Sequence, residues 1–143
     1  MPDPRRHFTA TRAKDVMTDN VVSFDARTRA TTAAETLEER GISGAPVVSS
    51  EGTCLGVFST KDLCRLNGTA LDSEFVISYM TSPAITVSQD HSLLDVVGIL
   101  RSSKTRRVPV VDNLGKVVGI VSATDIIEQI AVAMESESAT HCV

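Results

Sequence analysis

The stretch Gly119-Ile120-Val121-Ser122-Ala123-Thr124-Asp125 is matched, 63 residues earlier, by Gly56-Val57-Phe58-Ser59-Thr60-Lys61-Asp62. In both, a glycine leads two apolar residues into a serine, with an aspartate three positions on. The same offset pairs Met17-Thr18 with Met80-Thr81, Leu37 with Leu100, Pro46-Val47-Val48 with Pro109-Val110-Val111, and Gly52 with Gly115. Ten residues between positions 17 and 62 are identical to their counterparts without a gap, where ordinary residue frequencies give about three by chance. The chain is an internal duplication, and its fold has to be read as two copies of one unit.

Working outward, Ala30, Ala33, Ala34 and Leu37 recur at helical spacing and predict a helix ending near Arg40, with Gly41 as its stop. The second copy has Leu93, Val96, Val97 and Leu100 at those positions, opened by the capping box Ser92-x-x-Asp95. Small residues in one copy stand where large ones stand in the other. That is the volume match expected if the two helices, or those of a second subunit, pack together. Residues 21–24 read as a strand. Residues 45–48 and 53–58 flank a polar turn ending in Gly52 and predict a hairpin, repeated at 108–111 and 116–121 around Gly115. Each hairpin runs into a helix, over 60–66 and 123–134, so each copy reads β-α-β-β-α. The units are placed at 14–67 and 77–133, joined by a polar linker at 68–76. The basic segment 1–13 shows no periodicity and reads as a solvated arm, with contact to an acidic partner as the alternative. The polar, acidic tail 134–143 is expected to fray.

Bulk properties narrow the class. The chain has 143 residues, 42% hydrophobic and 22% charged, which is globular composition. Units of about 55 residues are marginal alone, so the copies are expected to share one core. A net charge of −4 and five aromatic residues argue against nucleic-acid binding as the main role. No apolar run reaches the roughly 18 residues of a membrane span, and no signal-peptide core is seen at the N-terminus. Cys54, Cys64 and Cys142 lack metal-type spacing, and two of them have apolar neighbours. They read as reduced thiols of a cytoplasmic protein. His7, His91 and His141 are scattered, with no H-E-x-x-H and no nucleophile elbow, so no enzyme is expected.

Two chemistries fit the repeated motif. Ser-x-x-Asp at a helix start is a capping pattern, in which Ser59 and Asp62, or Ser122 and Asp125, satisfy free N–H groups. The same N–H groups make a place for phosphate, a serine hydroxyl can donate to it, and a nearby carboxylate can hold ribose hydroxyls. Lys104-Thr105-Arg106-Arg107 brings guanidinium groups to the second copy, where the first has Gly41-Ile42-Ser43-Gly44. Solvated charge is the alternative for Arg106 and Arg107.

The segments Asp15-Val16-Met17-Thr18, Gly41 to Val48 and Leu55 to Leu63 resemble one CBS (cystathionine-β-synthase-type) domain. Met80-Thr81, Arg106 to Asp112 and Val118 to Ile126 resemble another. The resemblance covers about residues 14–133 and implies a tandem pair, or Bateman module. It implies an α/β (α+β) fold of two β-α-β-β-α units with pseudo-twofold symmetry, two pairs forming a homodimer. It further implies clefts for AMP, ADP, ATP or S-adenosylmethionine, with no cofactor required. By that resemblance Asp62 and Asp125 would hold ribose and Ser59 and Ser122 would meet phosphate, with Thr124 and Lys61 counted among the ligand-binding residues. Val22, Ile85, Gly44-Ala45-Pro46 and Val108-Pro109 would line the base pockets, and Arg106 and Arg107 would face phosphate. The first site lacks the arginines, with only Lys61 nearby. The implied role is regulation of a separate protein partner, and a constitutive interaction module is the alternative.

Overall fold

A computed structural model describes residues 4–66 and 73–141, with side chains from 5 to 135. Most of the expected linker, and Cys142, fall outside the described residues. The helices are α1 (Pro4–Ala10), α2 (Ala13–Val16), α3 (Ala30–Arg40), α4 (Thr60–Cys64), α5 (Leu93–Ser103) and α6 (Ala123–His141). The strands are β1 (Phe24–Asp25), β2 (Gly44–Val48), β3 (Cys54–Ser59), β4 (Val87–Ser88), β5 (Arg107–Val111) and β6 (Val117–Ser122). They form two three-stranded sheets in the orders β1-β2-β3 and β4-β5-β6. In the first, β1 runs parallel to β2 and β2 antiparallel to β3. In the second, β4 runs parallel to β5. Each repeat is thus the expected strand, helix, hairpin and helix.

The compact units are not simply the two repeats. One consists of Asn20–Ile85 with Asn113–Val117, and the other of Met1–Asp19, Thr86–Asp112 and Val118–Val143. The opening segment of each repeat therefore folds onto the sheet of the other. Thr18 pairs with Ile120 through two backbone hydrogen bonds of 2.9 and 3.0 Å, and Thr81 pairs with Val57 in the same way. Each segment covers an edge of β6 or β3 that would otherwise offer unpaired backbone groups. The approach is close enough to explain the two motif glycines. A Cβ at Gly119 would lie 2.3 Å from Met17 Sδ, and one at Gly56 would lie 2.6 Å from the Thr81 carbonyl oxygen.

Two buried clusters replace the single shared core expected from the sequence. In the first-sheet unit, Ala30, Ala33 and Leu37 of α3 pack with Phe24, Val47, Phe58 and Val76. In the second-sheet unit, Leu93, Val96 and Leu100 of α5 pack with Val87, Val108, Val110 and Val121. The small-for-large exchange is therefore matched inside each unit, where Ala30, Ala33 and Leu37, and Leu93, Val96 and Leu100, are buried. Small helix residues accompany the edge-to-face pair Phe24–Phe58, whose ring centres are 6.3 Å apart. Large helix residues accompany the counterpart valines, Val87 and Val121. Filling either unit to native density needs that compensation.

Three further expectations change. Of the segment expected to be a solvated arm, the described residues 4–13 are packed: Phe8 on α1 is 8% exposed in the cluster of the second-sheet unit, and His7 Nε2 is paired with Gln129 Oε1 at 2.8 Å. Burying that phenylalanine stabilises by about 1.5–3 kcal/mol, enough to hold a seven-residue helix that would not persist alone. The helix at the C-terminal end continues to His141 rather than fraying from 134. No glycine or proline after Gly119 interrupts it. Cys64 is exposed rather than set among apolar neighbours; Cys54 is partly buried, and both thiols are free. Gly41 stops α3 as expected, in the left-handed conformation (φ 62°). Among the described residues no helix is long and apolar enough to cross a membrane.

Candidate functional site

The second motif sits where β6 turns into α6. Ser122 N–H donates to Asp125 Oδ2 at 2.8 Å, and Asp125 N–H donates to Ser122 Oγ at 3.2 Å. This is the reciprocal capping box that the spacing predicts. Ala123 N–H donates to the Arg106 carbonyl at 2.7 Å, which ties the loop before β5 to the first turn of α6. Two polar atoms of the box keep capacity. Ser122 uses its hydroxyl oxygen as acceptor, so its hydrogen is available for donation. Asp125 Oδ1 meets no donor among the described residues, and the side chain is partly exposed. Thr124 is exposed at the same turn, Arg106 is exposed and Arg107 is partly buried at the start of β5.

The first motif sits where β3 turns into α4 and is wired differently. Ser59 N–H donates to Asp62 Oδ2 at 2.8 Å, and the Ser59 hydroxyl is directed at the same oxygen at 3.3 Å. Arg65 Nη2 donates to Asp62 Oδ1 and also to the Tyr79 carbonyl. The Asp62 carboxylate is 3% exposed, so this ion pair satisfies a group that would be costly to bury alone. Thr60 N–H donates to Ser43 carbonyl at 2.9 Å, the counterpart of the Ala123–Arg106 bond. Lys61 is exposed beside the motif.

The remaining expected residues divide between the units. Val22, Gly44, Ala45, Pro46, Lys61 and Ile85 belong to the unit of the first motif, whereas Val108 and Pro109 belong to that of the second. Ala45 and Val108 have their side chains within the two cores, and Val22 packs partly buried on the first. A Cβ at Gly44 would stand 3.1 Å from Ser59 Cβ, so the first motif is crowded where the second repeat carries Arg107. Sequence reasoning missed Arg65 and the Tyr79 carbonyl. The available signal was the 63-residue offset itself, which sets Arg65 against Glu128, opposite charges three residues after each motif aspartate.

Burial pushes the Cys54 thiol above its ordinary range, a hydrogen bond to the Gly56 carbonyl opposing this only in part, which keeps it a poor nucleophile. Among the described residues no three His, Cys, Asp or Glu side chains gather as a metal site.

Comparison with known proteins agrees with this architecture. The CBS domain family matches residues 13–67 and again 76–132. An uncharacterised protein of Methanocaldococcus jannaschii is 29% identical over 116 residues, covering 80% of this chain and 41% of that one. The chain spans less than two-thirds of the length of the first curated relatives it matches. Among solved structures, CBSX2 of Arabidopsis thaliana in complex with AMP superposes with a TM-score of 0.78 at 28% identity, covering 87% of this chain and 98% of that one. The CBS domain pair of protein MJ0100, in complex with 5′-methylthioadenosine and S-adenosyl-L-methionine, gives 0.75 at 25% identity, over 85% and 96% of the two chains. With two family matches covering most of its length, and two β-α-β-β-α repeats around two mixed sheets, the chain belongs to the CBS domain family as a tandem pair, a Bateman module.

Proposed function

We propose that this CBS pair is a non-catalytic regulatory module that binds an adenosine-containing ligand through its second motif and signals to a separate protein. The observation that carries the reading is the open side of the Ser122–Asp125 box, with a hydroxyl hydrogen and a carboxylate oxygen both unoccupied. A carboxylate oxygen suits ribose hydroxyls, and the first turn of a 19-residue helix suits phosphate. The AMP complex of CBSX2 and the complex of MJ0100 with methylthioadenosine and S-adenosylmethionine support that ligand class. Arg106 and Arg107 lie on the loop tied to this turn and supply the phosphate contacts. The module works as a homodimer, which the exposed apolar residues Ile127, Ile130 and Met134 at helical spacing on α6 support. Ligand binding then shifts the population between two arrangements that the partner distinguishes.

Calorimetry with AMP and adenosine tests this reading. The Arg106→Ala/Arg107→Ala chain should lose roughly 1–3 kcal/mol of AMP affinity while keeping that for adenosine. Equal loss for both ligands would remove the arginines from the phosphate site. Absence of any adenine ligand at millimolar concentration would leave the interaction-module alternative.

A further inference from the structure

We infer that Arg65 is a built-in occupant of the first motif, making the module a one-site receptor in which residue 65 or its counterpart 128 decides whether a motif accepts ribose. This rests on the reading that Asp125 is a ribose acceptor. To hold the paired hydroxyls of a ribose, a carboxylate must present unoccupied lone pairs. Asp62 does not: Oδ2 receives the Ser59 N–H and faces the Ser59 hydroxyl, and Oδ1 receives the Arg65 guanidinium. The same nitrogen, Nη2, also donates to the Tyr79 carbonyl, a second contact that holds the guanidinium at the carboxylate. The Ser59 hydroxyl is turned inward onto the same carboxylate. A ligand would have to displace a charge-assisted hydrogen bond and strip its cation from a carboxylate that is 3% exposed.

The second motif keeps the serine N–H bond to Oδ2 but differs at the other oxygen and at the hydroxyl. Glu128 stands three residues after Asp125, is exposed, and bears the charge that cannot pair with it. The Ser122 hydroxyl oxygen accepts from the Asp125 N–H, which leaves its hydrogen for donation, and Asp125 Oδ1 has no donor among the described residues. The residue 63 positions before Tyr79 is Val16, whose backbone lies in the unit of the second motif. An arginine at 128 would stand three residues after Asp125, the spacing at which Arg65 pairs with Asp62.

The test is to move the occupant from one motif to the other and titrate the full chain with AMP and with adenosine. Wild type should bind one AMP per chain. Glu128→Arg should weaken both ligands at least tenfold with its unfolding midpoint not lowered, although the added positive charge alone would tighten an anionic ligand. Glu128→Gln, which removes the repulsion without supplying a fork, should bind AMP within threefold of wild type. Arg65→Gln should leave the affinity of the remaining site within twofold. Tighter or unchanged AMP binding by Glu128→Arg, or two AMP per wild-type chain, would overturn the inference and leave the proposed function standing. A wild-type chain that binds neither ligand at millimolar concentration would remove both.

Discussion

The turn from β3 into α4 and the turn from β6 into α6 have the same serine and aspartate at the same spacing, yet present different chemistry. In the first, the carboxylate is buried, ion-paired and faced by its own serine hydroxyl; in the second, one carboxylate oxygen and the hydroxyl hydrogen are unoccupied. The cause is outside the motif, in Arg65 against Glu128, and in a helix of 5 residues against one of 19. A duplicated motif can therefore cap its helix in both copies and leave polar atoms open in only one. The identity of its residues does not say which.

The sharpest contrast between the two units lies in their cores, and it gives the largest expected effect. Phe58→Ala should destabilise the first-sheet unit by about 3–5 kcal/mol, because Ala30 and Ala33 cannot fill the space left. Adding Ala33→Val should recover part of that loss, a coupling that urea unfolding of the single and double variants measures. Strict additivity of the two changes would break the compensation account. The motif glycines come next. Gly56→Ala drives a methyl into the Thr81 backbone, whereas at Gly119 the nearest atoms belong to the Met17 side chain, whose end can swing. Both should cost about 1–3 kcal/mol, with Gly56→Ala the costlier. The reverse order would mean that the exchanged segments are not held alike.

Smaller effects separate the two caps. Arg65→Gln should cost about 1–2 kcal/mol, because the exposed arginine's attraction is screened but the carboxylate it leaves behind is buried. Glu128→Gln should change stability by less than about 0.5 kcal/mol, as expected of an exposed position. Equal losses in the two variants would erase the electrostatic difference between the motifs.

How much of this was legible in the sequence follows from which interactions are local. The repeat, the hairpins, the Gly41 stop and both capping boxes depend on residues a few positions apart, and their patterns survive in one sequence. The exchange of opening segments was not legible, because Met17 meets Gly119 and Thr81 meets Val57 only after the chain has folded back. Phe8 was missed because a single aromatic residue in a seven-residue helix leaves no periodic trace. The motif residues Ser122 and Asp125 were found from spacing. Their availability was not, since it depends on hydroxyl direction and on which cation reaches which carboxylate. The alanine-for-valine pattern on the helices was legible as volume matching, but the residues it matches within its own unit were not. Its true complement was the phenylalanine pair, on strands six and more residues away.

The central claim is that the open Asp125 carboxylate, and not its buried counterpart, binds the nucleoside. The most direct test is calorimetric titration of AMP into the Asp125→Asn chain, with its stability followed by urea unfolding. The substitution keeps an oxygen able to cap the Ser122 N–H but removes the charge and one acceptor. AMP affinity should fall at least tenfold, equivalent to about 1.4 kcal/mol or more, while unfolding shifts by about 1 kcal/mol or less. Wild-type affinity and stoichiometry in that variant would contradict the account.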